Sequence, residues 1–169
     1  MYPDDGLPAF QALADRVGCE LVVAATIGAE ERRLIEAGDL DIGVSVSYPN
    51  KISQAALDLF RHGVLNAHGG DLPRYRGNAC QAWAILNGES LVGLCVHRMR
   101  GEEIDTGKVL VRDSLSIDLS TSVTEVMAWI EERVPDMFVE AVSAADMGFI
   151  GAPDLNDMDV PANVGSRCY

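Results

Sequence analysis

Apolar and polar positions along the chain change period several times, and each change marks an element. Residues 8–17 place apolar side chains at helical spacing and are followed by Gly18, the usual C-cap. Residues 21–25, Leu-Val-Val-Ala-Ala, are continuously apolar, which predicts a strand buried on both faces. Residues 29–37 carry Glu30 and Glu31 in the first turn and stop at Gly38, predicting a short helix. A second buried strand is predicted over 40–47, ending at Tyr48-Pro49-Asn50, then a helix over 53–62 stopped by Gly63 and a short strand over 64–67. A helix over 78–86 closes at Asn87-Gly88, and strands over 92–99 and 109–115 are joined by a glycine-containing loop. Ser122-Val-Thr-Glu125 is a capping box opening a last helix, with Val123, Val126, Met127 and Ile130 on one face and a kink or restart expected at Pro135. Alternating strands and helices imply an α/β fold with a mostly parallel sheet, to which the closing pair adds an antiparallel edge. Beyond Gly148 periodicity stops, so a domain over 1–148 and a tail over 149–169 are expected.

Composition narrows the setting. The 169 residues suffice for one domain, and 48% hydrophobic against 23% charged residues can support a core. A formal charge of -13 leaves no basic footprint for a phosphate backbone or an anionic membrane, so neither nucleic acid nor membrane is an expected partner. Cys19, Cys80, Cys95 and Cys168 show no C-x-x-C spacing, which argues against a metal site and for small buried thiols in a reducing compartment. The N-terminal residues lack the pattern of a signal peptide, and the expected location is the cytoplasm.

The chemistry concentrates in two places. In Val64-Leu-Asn66-Ala-His68, Asn66 and His68 lie two apart at a strand's carboxyl end, on one face, where α/β sheets hold ligands. Gly69-Gly70 lets the backbone pass close to whatever binds there. An amide and an imidazole converging on one point can hold an oxyanion. Local pattern alone favours a plainer role, with Asn66 capping a turn and His68 a satisfied interior histidine. Asp105, in the loop between the last two strands, can orient His68 or shuttle a proton, although Asp before Thr-Gly is also an ordinary turn. One Asp-Thr-Gly in a parallel α/β pattern does not make an aspartic protease.

The ordered set resolves these alternatives. Asn66-Ala-His68, then Leu72-Pro73-Arg-Tyr-Arg-Gly77, then Ile104-Asp105-Thr-Gly107 resembles the signature of the folate-dependent formyltransferases, the family of methionyl-tRNA, glycinamide ribonucleotide and sugar N-formyltransferases. The resemblance runs from about residue 40 to 115 and more weakly to 145. It implies a Rossmann-like formyltransferase fold and transfer of a formyl group from 10-formyltetrahydrofolate to an amine, without a metal. It implies that Asn66 and His68 hold the tetrahedral oxyanion and that Asp105 orients His68 and helps move the amine's proton. The pterin pocket maps onto Tyr48, Asn50, Lys51, Ile52 and Val64, and onto Glu102, Glu103 and Ile104. For Ile52 and Val64 core packing is an equal alternative. Gly69, Gly70, Arg76 and Asn78 fall on the substrate side, and His97 reads as a satisfied sheet histidine or a neighbour of the folate.

The sequence also departs from the family. The βαβ unit that opens family members has no counterpart here, so residues 21–25 match a third strand, and a central sheet position is left open. A fragment, a shifted strand or a homodimer covering the edge would each close it. The tRNA-specific C-terminal barrel is absent, which with the acidic charge favours a small amine, such as an amino sugar on a nucleotide. The alternatives are a 10-formyltetrahydrofolate hydrolase, with water replacing the amine, and a truncated, catalytically weak folate-binding paralogue.

Overall fold

The computed structural model describes residues 6–101 and 104–146, with only the backbone of 144–146 and of 166–168. Helix α1 (Leu7–Val17) ends where the Gly18 N–H returns to the Ala14 carbonyl. Helix α2 (Ala29–Ala37) begins with Glu31 accepting the Gly28 N–H at 2.8 Å. Strand β1 (Gly43–Ser45), helix α3 (Gln54–Leu57), strands β2 (Val64–His68) and β3 (Tyr75–Gly77), helix α4 (Cys80–Leu86), strands β4 (Leu91–Arg98) and β5 (Val109–Ser116), helix α5 (Val123–Asp146) and strand β6 (Ser166–Cys168) follow.

The main sheet has the order β1-β2-β4-β5. Strands β1 and β2 run parallel, whereas β2–β4 and β4–β5 are antiparallel. The expected layering of helices on an α/β sheet is present, but the sheet is mixed. The short 99–108 connection can only return β5 beside β4 in the opposite direction. The strand that would have extended the parallel half does not form. Residues 21–25 have no strand conformation, and Val22 and Val23 are 45% and 72% exposed. An apolar run becomes a strand only where a neighbour supplies ladder partners, and β1, three residues long, pairs only with β2 among the described residues. The predicted strand over 40–47 contracts to β1 for the same reason.

Strand β4 is buried along nearly its whole length. Its Val92, Leu94 and Val96 pack with Val126, Ile130, Met137 and Ala141, the buried stripe of α5. The capping box forms as expected: the Ser122 hydroxyl accepts the Glu125 N–H at 3.2 Å, and the Glu125 carboxylate accepts the Ser122 N–H at 2.7 Å. The helix is continuous through Pro135, so of the expected kink or restart the restart does not occur. A smaller cluster of Ile52, Ala56, Leu57 and Val64 seats α3 under the first two strands. Most of the expected tail, 149–165 and 169, lies outside the described residues; Ser166–Cys168 runs parallel to β3 in a separate two-stranded sheet.

Candidate active site

The end of β2 delivers Asn66 and His68 side by side. In the antiparallel ladder Asn66 stands directly opposite His97, and His68 opposite Cys95. Directly opposed residues share a sheet face, so the register brings Asn66 and His97 together, and their Nδ2 and Nε2 atoms are 3.3 Å apart. The loop after β4 returns Asp105 to the same point. Its Oδ2 lies 3.4 Å from His68 Nδ1 and its Oδ1 3.4 Å from His97 Nε2. Oδ2 also accepts the Gly77 N–H at 2.8 Å. One carboxylate thus stands between two imidazoles whose rings meet edge-on at 6.2 Å.

The remaining ring nitrogens are held by backbone. His68 Nε2 donates to the Tyr75 carbonyl at 2.7 Å, with Cys80 Sγ at 3.7 Å. His97 Nδ1 donates to the Arg98 carbonyl at 3.2 Å. Both of His68's nitrogens are therefore engaged within the protein. Gly70 has a specific reason to lack a side chain, since its Cβ would lie 2.5 Å from His68 Nε2 and 2.7 Å from the Tyr75 oxygen. At Gly107 a Cβ would overlap the Arg98 carbonyl oxygen. The Gly107→Ala substitution must displace the loop that presents Asp105. It is expected to cut the turnover this cluster supports by about 100-fold, the penalty of misplacing a reacting group by an ångström or so, while circular dichroism still reports a folded sheet. Turnover at the unaltered rate would show that the loop's backbone path is immaterial.

The electrostatics follow from burial. Burial is the largest influence on His68 and pulls its pKa below the usual 6.5, opposed by the Asp105 charge and the Tyr75 bond and reinforced by His97. Burial pushes the Asp105 carboxyl up, but the His97 bond, the His68 charge and the Gly77 N–H together hold it below its usual 3.8. A carboxyl depressed in the folded state contributes stability above its unfolded value, and that stability is lost as pH falls through the folded value. A depressed histidine acts in the same direction, because below 6.5 the unfolded chain takes up the proton first. The melting temperature is therefore expected to fall steadily on acidification from pH 7 to 4, and His68→Gln to flatten the upper part of that curve. A wild-type melting temperature that stays constant over this range would contradict the assignment.

These groups line a cavity of ≈ 330 Å³. Asn66, His68 and Asp105 meet there, with Tyr48, Asn50, Lys51, Ile52, Ile104, Gly69 and Asn78 from the expected sets. Val64 does not line it. It faces a second, largely apolar space of ≈ 450 Å³ against β1, shared with Tyr48 and Ile52. Gly70 and Arg76 also stand outside the cavity wall, and the Arg76 Nε is buried without a hydrogen-bond partner among the described residues. Glu102 and Glu103 lie outside the described residues. Asn50 is tied to the preceding segment by donating to the Ala25 carbonyl at 3.1 Å.

Sequence reasoning missed Ser45 and undervalued His97. Ser45 borders the cavity, and its hydroxyl is buried without a hydrogen-bond partner among the described residues. His97 is 1% exposed. Three of the four non-glycine residues with positive φ among the described residues, Ser47, Ala79 and Asp105, line this one cavity. Such conformations cost about 1–3 kcal/mol each and persist where surrounding structure imposes them, commonly at working sites.

A buried acid–base cluster in a cavity at the strand ends of an α/β sheet is the layout of a candidate catalytic site. The comparisons with known proteins agree. The formyl transferase family matches residues 15–142, and the chain belongs to that family. It is 38% identical over 135 residues to the GDP-perosamine N-formyltransferase of Brucella melitensis, covering 78% of this chain and 52% of that one. It is 34% identical over 139 residues to the methionyl-tRNA formyltransferase of Methylobacterium nodulans, covering 82% and 44%. The chain thus spans about half the length of these relatives, or less. The crystal structure of the formyltransferase PseJ from Anoxybacillus kamchatkensis, in complex with UDP-4,6-dideoxy-4-formamido-L-AltNAc and tetrahydrofolate, superposes with a TM-score of 0.69 at 17% identity, covering 95% of this chain and 80% of that one. At that identity the likeness concerns the fold.

Proposed function

We propose that this chain carries the catalytic centre for moving a formyl group from 10-formyltetrahydrofolate to the amine of a small molecule, an amino sugar on a nucleotide being the favoured class. The observation that carries the reading is the convergence of Asn66, His68 and Asp105 on one cavity whose wall also holds Tyr48, Asn50, Lys51, Ile52 and Ile104. In this reading residues 1–148 form the catalytic unit and 149–169 an appended segment.

The chemistry balances with these groups alone. The amine nitrogen attacks the formyl carbon, and the carbonyl π electrons move to oxygen. The Asn66 amide and His68 Nε2 hold that oxyanion; a charged acceptor displaces the neutral Tyr75 carbonyl because charge-assisted bonds are about twice as strong. The ionised Asp105, beside His68 Nδ1, accepts the amine's proton. The oxyanion then collapses, the C–N10 bond breaks, and N10 takes the proton held by Asp105 and leaves as tetrahydrofolate, which returns Asp105 to its ionised form. The acidic chain places Lys51 and Arg100 at this cavity, which suits the carboxylates of a folate. Ser45 offers a hydroxyl to a ligand's polar edge, relieving a cost of about 1–3 kcal/mol for a buried unpaired group.

Hydrolysis is the second reading. The β1 side of the cavity is walled by a strand of only three residues with no outer neighbour among the described residues, and water admitted there would replace the amine. Incubating the protein with 10-formyltetrahydrofolate and a panel of amino sugar nucleotides tests both. Amine-dependent release of tetrahydrofolate supports transfer, amine-independent release supports the hydrolase, and no release with either sinks the catalytic reading.

A further inference from the structure

The hydrogen-bonding inventory around Asp105 does not close with the three residues of the proposed mechanism. The Tyr75 and Arg98 carbonyls can only accept, so His68 Nε2 and His97 Nδ1 each carry a proton. A neutral imidazole has one N–H. If both rings are neutral, His68 Nδ1 and His97 Nε2 turn lone pairs toward the same ionised carboxylate. One further proton is needed, and the two sites for it differ. His68 shares Asp105 Oδ2 with the Gly77 N–H, whereas Oδ1 has only His97 facing it among the contacts above. His97 Nε2 also touches the Asn66 amide, and this gives the proton a consequence.

We propose that His97 is a positioning residue for formyl transfer, whose Nε2 proton, shared with Asp105 Oδ1, decides which end of the Asn66 amide is offered to the cavity. With Nε2 unprotonated, the ring accepts the Asn66 Nδ2–H, as the 3.3 Å contact allows. One of the two Nδ2–H donors is then committed to His97, and at most one is left for the cavity. With Nε2 protonated and donating to Asp105, two donors face each other, and a half-turn of the amide relieves the clash. Asn66 then turns its oxygen to the ring, where it shares the single Nε2–H with Asp105 Oδ1, and frees both N–H donors of its amide for the cavity, the orientation an oxyanion requires. The cross-strand register Asn66↔His97 fixes this contact, with His97 buried and Asn66 at the cavity wall. The groups facing His97 are Asp105 from the following loop and His68 from β2; Lys51 and Arg100 are the cations bordering the same cavity, and α5 contributes only Met127, Ile130 and Val134. The inference rests on the formyl-transfer reading but is read separately from it.

The test uses the full chain and two substitutions of similar bulk. His97→Gln retains a permanent donor toward Asp105; His97→Phe keeps the packing and loses every donor. The expected result is a kcat about 100-fold lower for His97→Phe, at least tenfold of it recovered in His97→Gln, and a dissociation constant for a stable 10-formyltetrahydrofolate analogue within threefold of wild type in both. Equal losses in Gln and Phe, or a loss confined to analogue binding, overturn the proposal. Nitrogen-15 NMR of histidine-labelled protein with the analogue bound gives a readout independent of turnover: both His97 nitrogens protonated supports it, and an unprotonated Nε2 overturns it. A wild-type protein without formyl release under any condition would instead defeat the functional reading, whatever the NMR shows.

Discussion

Asp105→Asn is expected to reduce formyl transfer by on the order of 1,000-fold or more while leaving folate affinity within a few-fold of wild type. Replacing a buried carboxylate beside a catalytic histidine in another enzyme class costs about 10,000-fold, and here the same carboxylate serves two rings. The amide keeps the shape and can still accept the Gly77 N–H. It cannot accept the amine's proton, and it sets an NH2 donor against one of the two imidazoles. Steady-state kinetics beside calorimetric titration separate these effects. A large loss of affinity would recast Asp105 as a ligand contact.

His68→Ala is expected to lower transfer by about 100- to 1,000-fold, the usual consequence of removing one oxyanion donor, in a protein that remains folded. The substitution frees the Tyr75 carbonyl and leaves Asp105 facing one imidazole, His97, beside the Gly77 N–H. His68→Gln restores a donor near the Nε2 position and should recover part of the rate. Near-full activity in His68→Ala would remove His68 from the oxyanion and leave Asn66 as its sole side-chain support.

What could be read from the sequence was what local pattern determines. Gly18, the Ser122–Glu125 box and the stop at Gly38 marked helix ends because capping is a matter of neighbouring residues. Asn66 and His68 were legible because strand parity puts residues two apart on one side. The resemblance brought Asp105 to them, and the structure sets its Oδ2 3.4 Å from His68 Nδ1. The antiparallel β4–β5 edge was legible, but the antiparallel pairing of β2 with β4 and the unformed strand over 21–25 were not, because an apolar run does not state which neighbour will be present to pair with it. Val64 and Ile52 looked alike as pocket candidates, yet only Ile52 reaches the cavity. His97 was left between a sheet histidine and a neighbour of the folate because its partner is set by the register of two strands about 30 residues apart in the chain, which no local window contains.

The central claim is that this cavity binds a formyl-bearing folate beside Asn66, His68 and Asp105. Calorimetric titration of the purified chain with a stable 10-formyltetrahydrofolate analogue, with His68→Ala and Lys51→Ala in parallel, tests it most directly. The account predicts saturable one-to-one binding to the wild type, weakened in Lys51→Ala and nearly unchanged in His68→Ala. A folded chain that takes up no analogue at any accessible concentration would contradict it.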